Sequence, residues 1–262
     1  MIAKIFNISF RRTITSPMDP SLDLCTAMNA GDTIDIPYML LIGSSNYCTI
    51  STCPNISYAT NKCAQFTSQL TLIRGGSSLA HTGLSITSQG VWHYIHMDEK
   101  GIKGYAHNLA GFTDTDYAGD VNDRKSTTNW IFTFNDSPIP WALKKQGFIT
   151  RPSVEAKIVA GSITSAEGIW LIKLGKDFQH DFTPVPLFNG NQSFNVFSNN
   201  EVNNNKMKHI KTHFHYTQKQ INAGMIKLLY IPTPENLADM LTKPLSPHKH
   251  VHLLNILGVR HV

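Results

Sequence analysis

The sequence predicts an α/β fold, a mixed five-stranded sheet with flanking helices, over the second half of the chain. Three observations predict it. Apolar runs of strand length alternate with short polar turns after about residue 107. A long segment with helix-start signals follows them. Two further strand-like runs are then spaced by helix-length stretches. Strands joined by short turns pair antiparallel, and strands joined through helices pair parallel, so the order gives a meander extended by parallel strands.

The first strand is "LAGFTD", which ends at Asp114. "NWIFTFN", Asn129 to Asn135, alternates and stops at the turn "NDSP"; "IPWAL", Ile139 to Leu143, follows at hairpin distance. "RPSVEAKIVAGSITSAEGIWLIKLG" then predicts a helix. Ser153 serves as N-cap and Glu155 lies in the first turn. Val154, Ile158, Ile169 and Ile172 give apolar contacts, and Gly175 is the stop. "VPLFN" is the fourth strand, and it breaks at the polar corner Asn189-Gly190-Asn191. One helix is expected to start near Asn191 and a longer one to run from about Lys208 to Ala223, closed by Gly224. "MIKLLYI" is the fifth strand. "TPENLADMLTKP" predicts a final helix, with Thr233 as cap, Pro234 at the first position, Glu235 in the first turn and Pro244 beyond the end.

Residues 1 to about 106 have a different texture. Their periodicity is weak, and "TLIRGGSSLAHTGLSITSQG" follows neither a helical nor a strand period. Residues 68–90 are therefore expected to be poorly ordered or to make few core contacts. No internal repeat is visible.

Composition narrows the function classes. With 262 residues, 41% hydrophobic, the chain can bury the core of one large or two ordinary domains. Cys25, Cys48, Cys53 and Cys63 all fall in the first quarter. The Cys48–Cys53 spacing lacks the second pair that a zinc site needs, so the cysteines read as reduced thiols of an intracellular protein, cytoplasmic or nuclear. No run of about 18 apolar residues predicts a membrane span, and "MIAKIFNISFRR" is too short and wrongly ordered for a signal peptide. The net charge of +5 and pI of about 9.0 permit nucleic-acid binding without establishing it. Basic residues concentrate in "KMKHIKTHFHYTQK" and "HKHVH", which makes Lys206, Lys208, Lys211 and Lys219 candidate phosphate contacts. A solvated face is the simpler reading of such a run. His209, His213 and His215 have no neighbouring acids in sequence to complete a metal site.

The stretch "GFTDTDYAGDVNDRKSTTNWIFTFNDSPIPWALKKQ" resembles the start of the ribonuclease H region of copia-type retrotransposon polyproteins, and "LADMLTKPL" resembles that region's closing motif. The likeness runs from about Gly111 to Leu245. "TSPMDPSL", "IPYMLLIGSSNYC" and "TCPNISYATNKCAQF" resemble the end of the same polyprotein's reverse transcriptase. The resemblance implies a ribonuclease H-like fold in residues 107–245. It makes residues 1–106 a degenerate reverse-transcriptase connection region and residues 246–262 a C-terminal tail. The polymerase signature Tyr-x-Asp-Asp is absent from the sequence, so polymerisation by that site is not expected.

What the resemblance implies chemically is two-metal hydrolysis of the RNA strand of an RNA–DNA hybrid. Magnesium would be held by four carboxylates. The first maps to Asp114, with Asp116 and Asp120 read as loop or turn residues. The second falls on the long helix, where the family has Glu-Ala-Glu and this chain has "EAK". Lys157 occupies the ligand position, and Glu155 lies two residues earlier, about 200° round the helix. The third falls at the end of the fourth strand, where the family's Asp-Asn-Gln is replaced by "GNQ" and the acid by Gly190, in an Asn-Gly pair suited to a turn. The fourth maps to Asp239. Lys211 also departs from the family, which carries an Asp there outside the metal set. A cation about 4 Å from a unit positive charge at an effective dielectric of about 20 is repelled by about 4 kcal/mol, and a divalent ion doubles this. The expectation is a catalytically impaired ribonuclease H-like domain that binds magnesium poorly. The alternatives are a nucleic-acid-binding module without catalysis and a residually active hybrid endoribonuclease.

Overall fold

The computed structural model describes residues 16–18, 36–65, 67, 72–73, 92–94, 109–119, 124–148, 153–191 and 210–261. The chain forms two compact units. One is Met1–Tyr94 with Lys243–Asn255 and Val259–Val262; the other is Ile95–Thr242 with Ile256–Gly258.

In the first unit, β1 (Ile36–Pro37) leads into α1 (Tyr38–Ser51), and a 3-10 turn (Pro54–Ile56) leads into α2 (Ser57–Ala64). β1 pairs antiparallel with β2 (Leu72–Ile73), and β3 (Trp92–Tyr94) also belongs to this unit. α1 buries Tyr38, Leu41 and Ile42 yet exposes Met39, Leu40, Tyr47 and Ile50. A helix apolar on both sides has little amphipathic signal, which is why its sequence periodicity is weak. The Tyr38 hydroxyl donates to the Cys63 carbonyl at 2.5 Å and joins the two helices. Apart from Leu72–Ile73, the expectation for residues 68–90 lies outside the described residues.

The second unit holds the predicted sheet. Its strands are β4 (Leu109–Asp116), β5 (Thr127–Phe134), β6 (Ser137–Lys145), β7 (Val185–Asn189) and β8 (Ile226–Tyr230), in the spatial order β6-β5-β4-β7-β8. β6, β5 and β4 are antiparallel, and β7 and β8 add in parallel. This is the mixed α/β architecture expected from the element order, and it is ribonuclease H-like. Asn135 and Asp136 turn the β5–β6 hairpin with φ of 48° and 60°, the doubly left-handed pattern that matches strand twist. β6 lies at the sheet edge and carries Pro138 and Pro140, and an edge strand is where a missing N–H is tolerated. In β4, a Cβ on Gly111 would sit 2.6 Å from Phe132 Cε1, so the close approach of the phenyl ring requires glycine.

α3 (Ser153–Asp177) packs on this sheet through Ile158, Val159, Leu171 and Ile172, against Phe132 and Leu187. By length and hydropathy α3 could cross a membrane, yet 61% of its most apolar window is buried in the protein. Gly175 is not the helix stop predicted from sequence. The stop is Gln179, left-handed at φ 64°. The His180 N–H donates to the Gly175 carbonyl at 2.8 Å and the Gln179 N–H to the Lys176 carbonyl at 3.0 Å, the paired bonds of a Schellman cap. α4 (Lys211–Asn222) ends at Gly224, φ 69°. The helix expected near Asn191 falls outside the described residues.

The final predicted helix is corrected. "TPENLADML" forms two 3-10 turns, Thr233–Glu235 and Leu237–Leu241, separated by an extended Asn236 at φ −77° and ψ 109°. Thr233 makes no capping bond. Asn236 caps the second turn instead, accepting from the Ala238 N–H at 3.2 Å. The chain continues as α5 (Pro247–Ile256) and β9 (Val259–His261), the latter antiparallel to β3 within the first unit.

Candidate active site

The sheet sets Asp114 and Gly190 side by side at one end, with the turn that carries Asp239 against them. In the parallel ladder Thr113 of β4 lies opposite Asn189 of β7, strands about 4.8 Å apart, so Asp114 and Gly190 follow side by side; β4 itself continues past the predicted end at Asp114 to Asp116, while Gly190 comes just after β7. Asp114 is half-buried. The Thr242 hydroxyl lies 3.3 Å from Asp114 Oδ2 and 2.8 Å from the Asp239 carbonyl, so one hydroxyl links the β4 carboxylate to the turn that carries Asp239. Asp239 itself is buried at 1% exposure.

Asn236 and Asn129 fix that turn. Asn236 Nδ2 donates to the Thr113 carbonyl at 3.2 Å while its oxygen caps the 3-10 turn. Asn129, opposite Asp114 on β5, donates through its side-chain amide to the Leu241 carbonyl at 3.0 Å. Neither residue was picked out from sequence, and nor was Thr242. For Asn236 a signal existed: an asparagine directly before the apolar run "LADML" is a strong N-cap type.

α3 supplies the third side. The hydroxyls of Thr164 and Thr113 hydrogen-bond at 3.0 Å, which defines the sheet-facing stripe of the helix. Lys157 lies seven residues earlier, about 20° off that stripe, whereas Glu155 lies about 180° from it. Helix phase therefore puts Lys157, half-buried, on the side of the sheet and turns Glu155, 5% exposed, away from that stripe. Gln146 Nε2 ties the first turn of α3 to the sheet, 3.0 Å from the Ala156 carbonyl and 2.9 Å from Thr128 Oγ1.

The chain does turn at Asn189-Gly190, where the Asn191 N–H donates to Asn189 Oδ1 at 2.7 Å, but the turn does not call for glycine. The Gly190 backbone is not left-handed; among described residues only Gly224 and Gly258 are glycines with positive φ. A Cβ at 190 would lie 3.7 Å from Thr233 Oγ1 and 3.9 Å from Asn236 Nδ2, ordinary contacts. The Asn-Gly pair is thus not a turn that needs glycine.

The remaining candidates are placed as follows. Asp116, read from sequence as a loop or turn residue, is instead the last residue of β4, paired with Thr127, and its carboxylate folds over Gly119; Asp120 lies outside the described residues. Lys211 and Lys219 are exposed on α4, while Lys206, Lys208 and His209 lie outside the described residues. His213 is half-buried with Nδ1 3.1 Å from Ser162 Oγ, and burial lowers its pKa. Among the described residues no three His, Cys, Asp or Glu side chains converge as a metal-ligand group.

No protein-family model matches the chain. Over 260 residues it is 30% identical to the "Retrovirus-related Pol polyprotein from transposon RE1" of Arabidopsis thaliana, a match covering 98% of this chain and 17% of that protein. It is 26% identical over 270 residues to the corresponding polyprotein from transposon TNT 1-94 of Nicotiana tabacum, with 97% of this chain and 19% of that protein covered. The chain is thus similar, at 26–30% identity over nearly its whole length, to copia-type Pol polyproteins of plant transposons. It spans under a fifth of the length of these Pol relatives. A solved structure of the prototype foamy virus protease–reverse transcriptase is similar at TM-score 0.39 and 15% identity, covering 57% of this chain and 22% of that one. The architecture of this chain rests on its own strand order.

Proposed function

We propose that this chain is a ribonuclease H-like Pol segment in which two-metal hydrolysis of RNA–DNA hybrids is lost or strongly impaired. The observation that supports the reading is a glycine at 190, just past β7 and beside Asp114 of β4, where a side chain would have room and where the resemblance implies an acid. Two magnesium ions carry four positive charges and need converging carboxylate oxygens. The residues present do not fit that pair. Asp114 and Asp239 remain, a cation stands at Lys157, and no third acid joins them among the described residues. What the site holds in place of metal ligation is the Thr242 hydroxyl, set between the Asp114 carboxylate and the Asp239 backbone carbonyl.

Nucleic-acid binding is proposed as the property that survives. Its support is the net charge of +5 and the exposed Lys211 and Lys219 on α4. Such binding would rest on phosphate contacts and weaken steeply with salt.

The test is cleavage of a labelled RNA–DNA hybrid with magnesium by the unmodified chain, by Lys157→Glu, by Gly190→Asp and by the double variant. The expected result is cleavage by the double variant alone, with salt-sensitive hybrid binding by all four. Robust cleavage by the unmodified chain overturns the reading. A folded but inert double variant would place further damage outside the four ligand positions.

A further inference from the structure

A second concave site lies at the opposite end of the sheet unit. It is built where β4 begins, at Leu109, and where α3 ends, around Leu174. Lys157 and Leu174 are seventeen residues apart on α3, about 25 Å along the axis, so this cavity is separate from the acids. Its volume is about 390 Å³.

The walls are of two kinds. One is aromatic: Phe134 meets Phe182 edge-on with ring centroids 5.6 Å apart, and His180 stacks on Phe182 at 6.2 Å and 14°. The other is aliphatic, from Leu109, Ile139, Leu171 and Leu174. No lining residue is Asp, Glu, Lys or Arg, and the His180 imidazole is the one polar ring among them. At the mouth Phe178 is 69% exposed and Ile139 45%, apolar surface left in water beside a concavity.

The aromatic wall is fixed in place. A Cβ on Gly175 would lie 2.5 Å from Phe182 Cδ2, so glycine at that position admits the ring. The loop that carries Phe178, His180 and Phe182 is pinned to Gly175 by two N–H donors, from Phe178 at 2.9 Å and His180 at 2.8 Å. Gln179 holds a left-handed backbone to make this possible. Side chains other than glycine adopt that conformation at a cost, and such strain gathers at binding sites.

We propose that this cavity binds a flat, uncharged aromatic molecule of one or two fused rings. A bounded, mostly apolar concavity of a few hundred Å³ is the usual form of a small-molecule site. An apolar protein cavity of about 150 Å³ is enough to take benzene, so this one has room for a bicyclic ring. Edge and face contacts with Phe182 and Phe134 suit a π-system, and His180 at the rim can share one hydrogen bond with a ring N–H.

The test uses the full chain and indole as probe, followed by aromatic NMR shifts. Saturable shifts are expected at Phe178, His180 and Phe182, unchanged in Gly190→Asp, which keeps this test apart from that of the acid site. Ile139→Trp, which fills the mouth from a half-exposed position, should weaken binding by at least about tenfold, equivalent to about 1.4 kcal/mol, with its thermal midpoint retained. No saturable shift, or equal binding by Ile139→Trp, overturns the proposal. Shifts at Phe178 and Ile139 that follow protein concentration alone would make the groove a self-association face and also overturn it.

Discussion

Gly190 leaves its backbone free to accept a side chain. With ordinary φ and no atom nearer than 3.7 Å to a built Cβ, Gly190→Asp should change stability by less than about 1 kcal/mol. A thermal midpoint within a few degrees of the parent checks this. Asn236 is the opposite case. It is buried, bonds the Thr113 carbonyl and caps the turn before Asp239. Asn236→Ala leaves a buried carbonyl unpaired and should cost about 2–3 kcal/mol in urea unfolding. Cys63 reports on the first unit. Burial pushes its thiol up to about 12, so the charged form is disfavoured in the folded state. The resulting stability is fully present below the ordinary thiol value of about 8.5 and is lost as pH rises toward the folded value. At pH 9 iodoacetamide should therefore modify Cys63 at the rate of unfolding, and much faster in urea; rapid modification of the native chain would contradict this.

At the scale of elements, the caps and close contacts make separate predictions. Gln179→Gly relieves a left-handed residue without touching the Schellman bonds and should stabilise by about 1 kcal/mol, read as a higher urea midpoint. Gly111→Ala forces Phe132 to move and should destabilise by about 1–3 kcal/mol. The same elements show what sequence could and could not reveal. β4, β5, β7 and β8 were legible because alternation or short apolar runs bounded by turns carry a strong local signal. The final helix was misread because Asn236 spends its side chain on Thr113, 123 positions away in sequence, and no local pattern records such a bond. The end of α3 was misplaced because Gly175 serves ring packing and Gln179 serves the cap. Local rules assign both duties to one glycine.

For the whole molecule, the candidate site was legible only as separate motifs. Their convergence depends on the parallel register of Thr113 with Asn189 and on the phase that relates Lys157 to Thr164, and neither is written in any one segment. The same sheet has two rims, β6 and β8. A rim offers unpaired backbone groups on which another chain can grow. Pro138 and Pro140 interrupt the donors along β6, and Lys144 and Lys145 end it with charge, so recruitment of strands from other copies is obstructed on that side. Growth of a stack needs both rims, one to receive and one to present, and a sheet closed on one rim ends the stack at the first addition. The protein should therefore tolerate concentration better than its apolar content suggests, and replacing both prolines with threonine should raise light scattering on heating while the parent stays clear.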